Sequence, residues 1–164
     1  MLRRLFLGTI AGAFVGVATS APRTALAKTK AKVEIVDTSW PSAGTESKAR
    51  VKSVLRTLRR QASASATHLD FGEQAKVRLS LVIKELTLTE EEGLIRISCA
   101  LVGKLEGGGT AKSRISMGGK PDQRKKLERD ALGATSDSVM VRLAELAKAT
   151  NRSEKSEKKK PTAA

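Results

Sequence analysis

The chain has 164 residues, 31 Lys and Arg against 17 Asp and Glu, and a formal net charge of +14, with one cysteine, one histidine, one tryptophan and no tyrosine. That length accommodates one domain around a single core and crowds out a second. One histidine and one cysteine exclude the common His/Cys zinc sets, and the scarcity of aromatic side chains weighs against recognition of single-stranded nucleic acid by base stacking.

Residues 1–27 read as an export leader. Arg3 and Arg4 supply the positive start, Leu5 to Ala18 an apolar stretch, and Ala25-Leu26-Ala27 the small residues a signal peptidase needs before Lys28. Gly8, Gly12 and Gly16 interrupt the apolar run and Pro22-Arg23 closes it, so it falls short of the roughly 20 apolar residues of a spanning helix. The mature form is therefore expected to have no stable membrane span. Cleavage at this point removes three arginines and no acid, leaving about 137 residues with a charge of about +11. There is no cysteine near the cleavage region to carry a lipid.

The segment Arg3-Arg4-Leu5-Phe6-Leu7 resembles the twin-arginine class of export signals, in which two arginines and any residue precede two apolar residues, here Phe6 and Leu7. The glycine-rich apolar stretch and the basic Arg23 agree with that class, while Leu2 stands where it usually has a polar residue. The resemblance covers the leader alone. It implies export of a folded protein by the twin-arginine translocase, with the general secretory translocase as the other route.

In the mature chain, Lys32 to Ser39 alternates around Val33 and Ile35, with Val36 on the other parity, and predicts a short strand ended by Trp40-Pro41. Ser42 to Thr45 offers caps for an amphipathic helix whose apolar stripe is Val51, Val54, Leu55, Leu58 and Ala62. The Ser/Ala run from Ala62 to Thr67 is expected to fray that helix. Val77, Leu79, Leu81 and Ile83 predict a strand with one buried face, and a parity shift at Lys84-Glu85 predicts a bulge before Leu86 and Leu88 continue it.

Glu90 to Gly93 reads as a turn, Leu94 to Leu105 as the next strand, Glu106 to Gly109 as a second turn and Ala111 to Met117 as a third strand of an antiparallel meander. Gly118-Gly119-Lys120-Pro121-Asp122 then breaks the sheet and opens a helix toward Ala149. Its candidate buried positions are Leu127, Ala131, Leu132, Val139, Leu143, Leu146 and Ala147, and Gly133 to Ser138 is expected to bend or interrupt it. Residues 150–164, with no apolar anchor, read as a disordered basic tail. The prediction is a single α+β domain over residues 28–149: a two-layer sandwich of an antiparallel sheet, in the order strand, helix, three-strand meander, helix, with both helices packed on one face. That order is loosely similar to small periplasmic accessory domains of envelope assembly systems, although no motif carries the likeness.

No catalytic constellation emerges, and no metal or cofactor is expected. His68 has only Asp70 as an acidic neighbour in sequence, and Gly107 to Ser113 lacks the glycine that a phosphate loop requires before its lysine, which here is Lys112. Glu90, Glu91 and Glu92 alternate in direction, and Cys99 shares parity with Ile95, Ile97 and Leu101 and should be buried. Gly118, Gly119 and Lys120 form a candidate anion-binding turn ahead of a helix N-terminus. A candidate basic surface combines Lys48, Lys52, Arg56, Arg59 and Arg60 of the first helix with Arg124, Lys125 and Lys126 of the second, where Arg129 adds to the cluster and Asp122 and Glu128 are acids that could offset it, and Lys158 to Lys160 extend the charge into the tail.

The functional expectation is a non-enzymatic periplasmic or secreted protein whose basic surface meets an anionic envelope polymer, a lipid headgroup or an acidic protein. The alternatives are an exported enzyme using scattered acids such as Asp37 and Glu85, and a cytoplasmic nucleic-acid binder should the leader not be one.

Overall fold

The computed structural model describes residues 31–73 and 76–157. The elements follow in the order β1 (Lys32–Ser39), α1 (Lys48–His68), β2 (Lys76–Glu91), β3 (Leu94–Leu105), β4 (Thr110–Gly119) and α2 (Arg124–Glu157), with one-turn 3-10 segments at Pro41–Ala43 and Pro121–Gln123. Four strands form one sheet in the order β1-β2-β3-β4. The inward residues Ile35, Leu79, Leu81, Ile83, Ile97 and Leu101 share one core with Val54, Leu58, Leu132, Val139 and Leu143 of the helices, giving the expected two-layer α+β sandwich.

The sheet is mixed, which corrects the expectation that it is antiparallel throughout. β2, β3 and β4 form the antiparallel meander, but β1 pairs parallel with β2, from Lys32 opposite Lys76 to Ser39 opposite Val82. The 21-residue helix α1 carries the chain back across one face before β2 begins, and that crossover sets neighbouring strands parallel.

Both edges of the parallel pair are locally irregular. The slip predicted at Lys84 is present between Ile83 and Glu85, and the Lys84 carbonyl freed there accepts from Ser42 Oγ at 2.8 Å. A second bulge lies between Ile35 and Asp37. It turns Val36 outward, 58% exposed, and the Ile35 carbonyl accepts from Arg59 Nη2 at 2.6 Å. Between β2 and β3 only Glu92 and Gly93 form the turn, with φ of 52° and 74°; positive φ at both central residues is the hairpin geometry that matches strand twist.

The helices are longer than the sequence implies. Ser47, not a residue of 42–45, caps α1, its side chain accepting from the Arg50 amide at 3.3 Å. The helix continues through the Ser/Ala run because Ala62 is fully buried and Ala66 packs against the core. α2 passes uninterrupted through Gly133–Ser138, where Thr135 and Ser136 are fully buried and Thr135 Oγ1 bonds the Ala131 carbonyl at 2.6 Å. It runs on to Glu157, eight residues into the segment expected to be tail, because no proline or glycine stops it there. Residues 158–164, including Lys158 to Lys160, lie outside the described residues.

One glycine lets α2 approach the sheet. A Cβ at Gly103 of β3 would stand 2.6 Å from Val139 Cγ1 and 2.7 Å from Leu143 Cδ1, so only glycine leaves room for these two fully buried side chains. Cys99, four residues earlier on β3, is free and fully buried.

Candidate functional site

α1 and α2 lie side by side and run in the same direction: Arg50 meets Glu128, Gln61 meets the Arg129 carbonyl, and Ser65 meets Asp137. Both N-termini therefore come to one end of the helical layer. Unsatisfied amides give each end a partial positive charge, and neither helix has an acid in its first turn.

Exposed cations run from that end along both helices. Lys48, Lys52, Arg56 and Arg60 are exposed along α1, and Arg124, Lys125 and Lys126 are exposed in the first turn of α2. Among the described residues none of these seven takes part in an ion pair. Arg59 departs from the expected face: its guanidinium serves the β1 bulge, so it is a structural contact first.

Between the N-terminal halves of the helices is a cleft of about 520 Å³. Arg50, Ser53 and Thr57 line it from α1, Arg124, Lys125 and Arg129 from α2, and Val54 and Leu132 supply apolar wall. Arg50 is tied to both oxygens of Glu46, at 2.8 and 2.9 Å, and to Glu128 at 3.3 Å. Its charge is thus matched internally. Glu128 also lines the cleft, so two carboxylates face the one Arg50 charge, and Arg129 is paired with Asp130 at 3.8 Å; Arg124 and Lys125, with no ion-pair partner among the described residues, carry most of the cleft's positive excess. Arg129 belongs to the basic start of the second helix already read from sequence, but Arg50 falls on no basic stripe there, and the convergence of the two was not legible; the parallel packing of two distant helices creates it.

Gly118 and Gly119 do not form a ring of free amides. They end β4, opposite Arg96 and Ile95, and neither has positive φ. A Cβ on Gly119 would stand 2.6 Å from Leu127 Cδ1, so this glycine makes room for the buried leucine. Beyond Lys120, the Gln123 and Arg124 amides already donate to the Lys120 and Pro121 carbonyls inside the 3-10 turn. The groove beside the two glycines is also lined by Glu91 and Glu92, which disfavour an anion.

Lys76 and then Arg78 hold the exposed Glu34 carboxyl below its ordinary range, the reverse of what a general acid needs. Glu85 is paired with Arg114 at 2.9 Å, and His68 is exposed at the end of α1. Among the described residues no three His, Cys, Asp or Glu side chains converge as a metal site, and no helix is long and apolar enough to cross a membrane. Arg3, Arg4, Phe6, Leu7, Ala25 and Ala27 lie outside the described residues.

No family model and no curated protein matches the chain. Among solved structures it is similar to a candidate lipoprotein from Caulobacter crescentus, with 12% identity and a TM-score of 0.42 over 72% of this chain and 89% of that one. It is also similar to a minor lipoprotein from Acinetobacter baumannii, with 14% identity and a TM-score of 0.40 over 72% and 93% of the two chains. A Xanthomonas campestris protein of the DUF330 family aligns at 11% identity and a TM-score of 0.40, over 82% of this chain and 94% of that one. Likenesses this distant carry no functional argument.

Proposed function

We propose that this is an exported, non-enzymatic binding or accessory protein of the periplasm or extracellular space, whose cationic helical layer engages an anionic envelope component. The observation that carries this reading is the set of seven exposed cations on the same layer that have no ion-pair partner among the described residues. Lysine and arginine in a helix's first turn oppose the macrodipole, and folding stability alone favours acids there. An arrangement that folding does not favour gains its rationale from an anionic partner: an envelope polymer, a lipid headgroup or an acidic protein surface.

The leader supports the compartment. Arg3, Arg4 and the Ala25–Ala27 site suit the twin-arginine or general secretory translocase and a signal peptidase. Two of the similar proteins are a candidate and a minor lipoprotein, but the one cysteine here is buried in β3, so lipid attachment is not carried over.

Intact mass from separated periplasmic and cytoplasmic fractions tests export. The expected result is a periplasmic species beginning at Lys28, lost when Arg3 and Arg4 are both replaced by lysine. An uncleaved cytoplasmic species from the native leader overturns the reading and makes nucleic acid the first partner to test. Co-sedimentation with vesicles of equal phosphatidylglycerol and phosphatidylcholine tests the surface; binding is expected at low salt and should weaken as salt screens it.

A further inference from the structure

The interface between α1 and α2 changes character along its length. At the N-terminal end is the cationic cleft described above. Farther along the same pair of helices lies a second groove of about 470 Å³, with Ala64, Leu69, Gly133 and Val141 as its apolar wall and Gln61, Ser65, His68 and Asp137 as its polar members. Its Ser65 and Asp137 side chains are hydrogen-bonded to each other. Val141 is an exposed large hydrophobic residue at 43%.

Gln61 and Arg129 join the two spaces. Gln61 lines the apolar groove and Arg129 the cationic cleft, and Gln61 Nε2 donates to the Arg129 carbonyl at 2.9 Å. The other amide atom, Gln61 Oε1, is buried without a partner. Opposite it, Gly133 has ordinary helical geometry, and a Cβ there would lie 3.0 Å from Gln61 Nε2. A glycine weakens the middle of a helix; here it leaves the groove open.

We propose that this seam binds a single-chain anionic amphiphile with a phosphate head, an inference that rests on the anion-binding reading above. Arg124, Lys125 and Arg129 receive the head, and the acyl chain lies between Ala64 and Leu69 on one side and Gly133 and Val141 on the other. A phosphate head suits the charge balance: Arg50, Arg124, Lys125 and Arg129 line the cleft against Glu128, and Glu46 is tied to Arg50, leaving a small positive excess for a phosphomonoester, which carries between one and two charges near neutral pH. The length suits as well. From Thr57 to Leu69 α1 rises about 18 Å at 1.5 Å per residue, and one acyl chain spans about 15 Å, half of a bilayer's hydrocarbon core.

Isothermal titration calorimetry of the mature protein tests this, using 1-myristoyl lysophosphatidate below its micelle concentration, with glycerol 3-phosphate and 1-myristoyl lysophosphatidylcholine as head-only and zwitterionic probes. The lysophosphatidate is expected to bind one to one and at least tenfold more tightly than either. Gly133→Leu, which fills the groove, and Val141→Asp, on an exposed position, should each weaken it at least tenfold while keeping the native circular dichroism spectrum. Equal affinity for glycerol 3-phosphate, or unchanged lysophosphatidate affinity in two folded variants, overturns the proposal. Binding to the phosphatidylglycerol vesicles without one-to-one lysophosphatidate binding sinks the seam and leaves the surface reading intact. One-to-one binding without vesicle association supports the seam and removes the surface reading.

Discussion

Replacing Gly103 with alanine tests how closely α2 is seated on the sheet. The added methyl would lie 2.6 Å from Val139 Cγ1, 2.7 Å from Leu143 Cδ1 and 3.2 Å from Leu81 Cδ2, and all three residues are fully buried. None can swing into solvent, so the helix must lift or the side chains must leave their rotamers, at about 1–3 kcal/mol for such overpacking. Reduced freedom of the unfolded chain offsets about 0.4–1 kcal/mol. The net loss is about 1–2 kcal/mol, which lowers Tm by about 4–8 °C in a domain of this size. Gly118→Ala is the matched control: it is exposed, its φ is not positive, and an added Cβ meets only the Ile95 carbonyl, at 3.8 Å. Urea denaturation followed by circular dichroism should separate the two, with Gly118→Ala within about 0.5 kcal/mol of the parent. Equal stability of the two variants refutes the close approach of α2 to β3.

Other perturbations reach other parts of the account. Ser47→Ala removes the α1 cap seen at the Arg50 amide and should cost about 0.5–2 kcal/mol in the same assay; no change would mean that the 3-10 turn at Pro41–Ala43 caps the helix by itself. Burial pushes the Cys99 thiol up, so it should resist alkylation in the native state and react once urea unfolds the chain. Because the unfolded thiol ionises near pH 8.5 while the folded one stays neutral to higher pH, Cys99's contribution to stability is present below that pH. It declines as pH rises through it, and Cys99→Ser should flatten that alkaline decline. Glu34 has the opposite sign: its lowered carboxyl pKa contributes above its unfolded titration and loses that contribution on acidification, so Glu34→Gln should slightly reduce the fall in stability at acid pH.

The elements of the sandwich were legible because period-two alternation in Val77–Ile83 and Ile95–Leu101 and the helical stripe from Val51 to Ala62 each follow from local geometry. The bulge at Lys84 was legible for the same reason, since a parity slip is a local signal. The parallel pairing of β1 was not, because strand direction depends on where α1 returns the chain. Gly119 and Gly103 show a related limit. A glycine kept for a close neighbour resembles a turn or an unremarkable strand residue until the neighbour, Leu127 or Val139, is placed beside it.

The basic residues divide along the same line. The exposed groups of α1 followed from the apolar stripe that defines its opposite face, whereas the diversion of Arg59 to the Ile35 carbonyl required the position of the β1 bulge. The cleft formed with Arg50 and Arg129 required the side-by-side placement of two helices more than fifty residues apart.

Charge reversal on the two faces of the molecule, read by vesicle co-sedimentation, tests the cationic helical layer most directly. One variant carries Lys52→Glu, Arg56→Glu, Arg124→Glu and Lys125→Glu on the helices; the other carries Arg96→Glu, Lys104→Glu, Lys112→Glu and Lys84→Glu at exposed positions of the strands. Both change the net charge equally. Binding to phosphatidylglycerol vesicles should be lost in the helical variant and largely kept in the strand variant. Equal loss in both would mean that net charge alone drives association, and would contradict a binding surface on the helical layer.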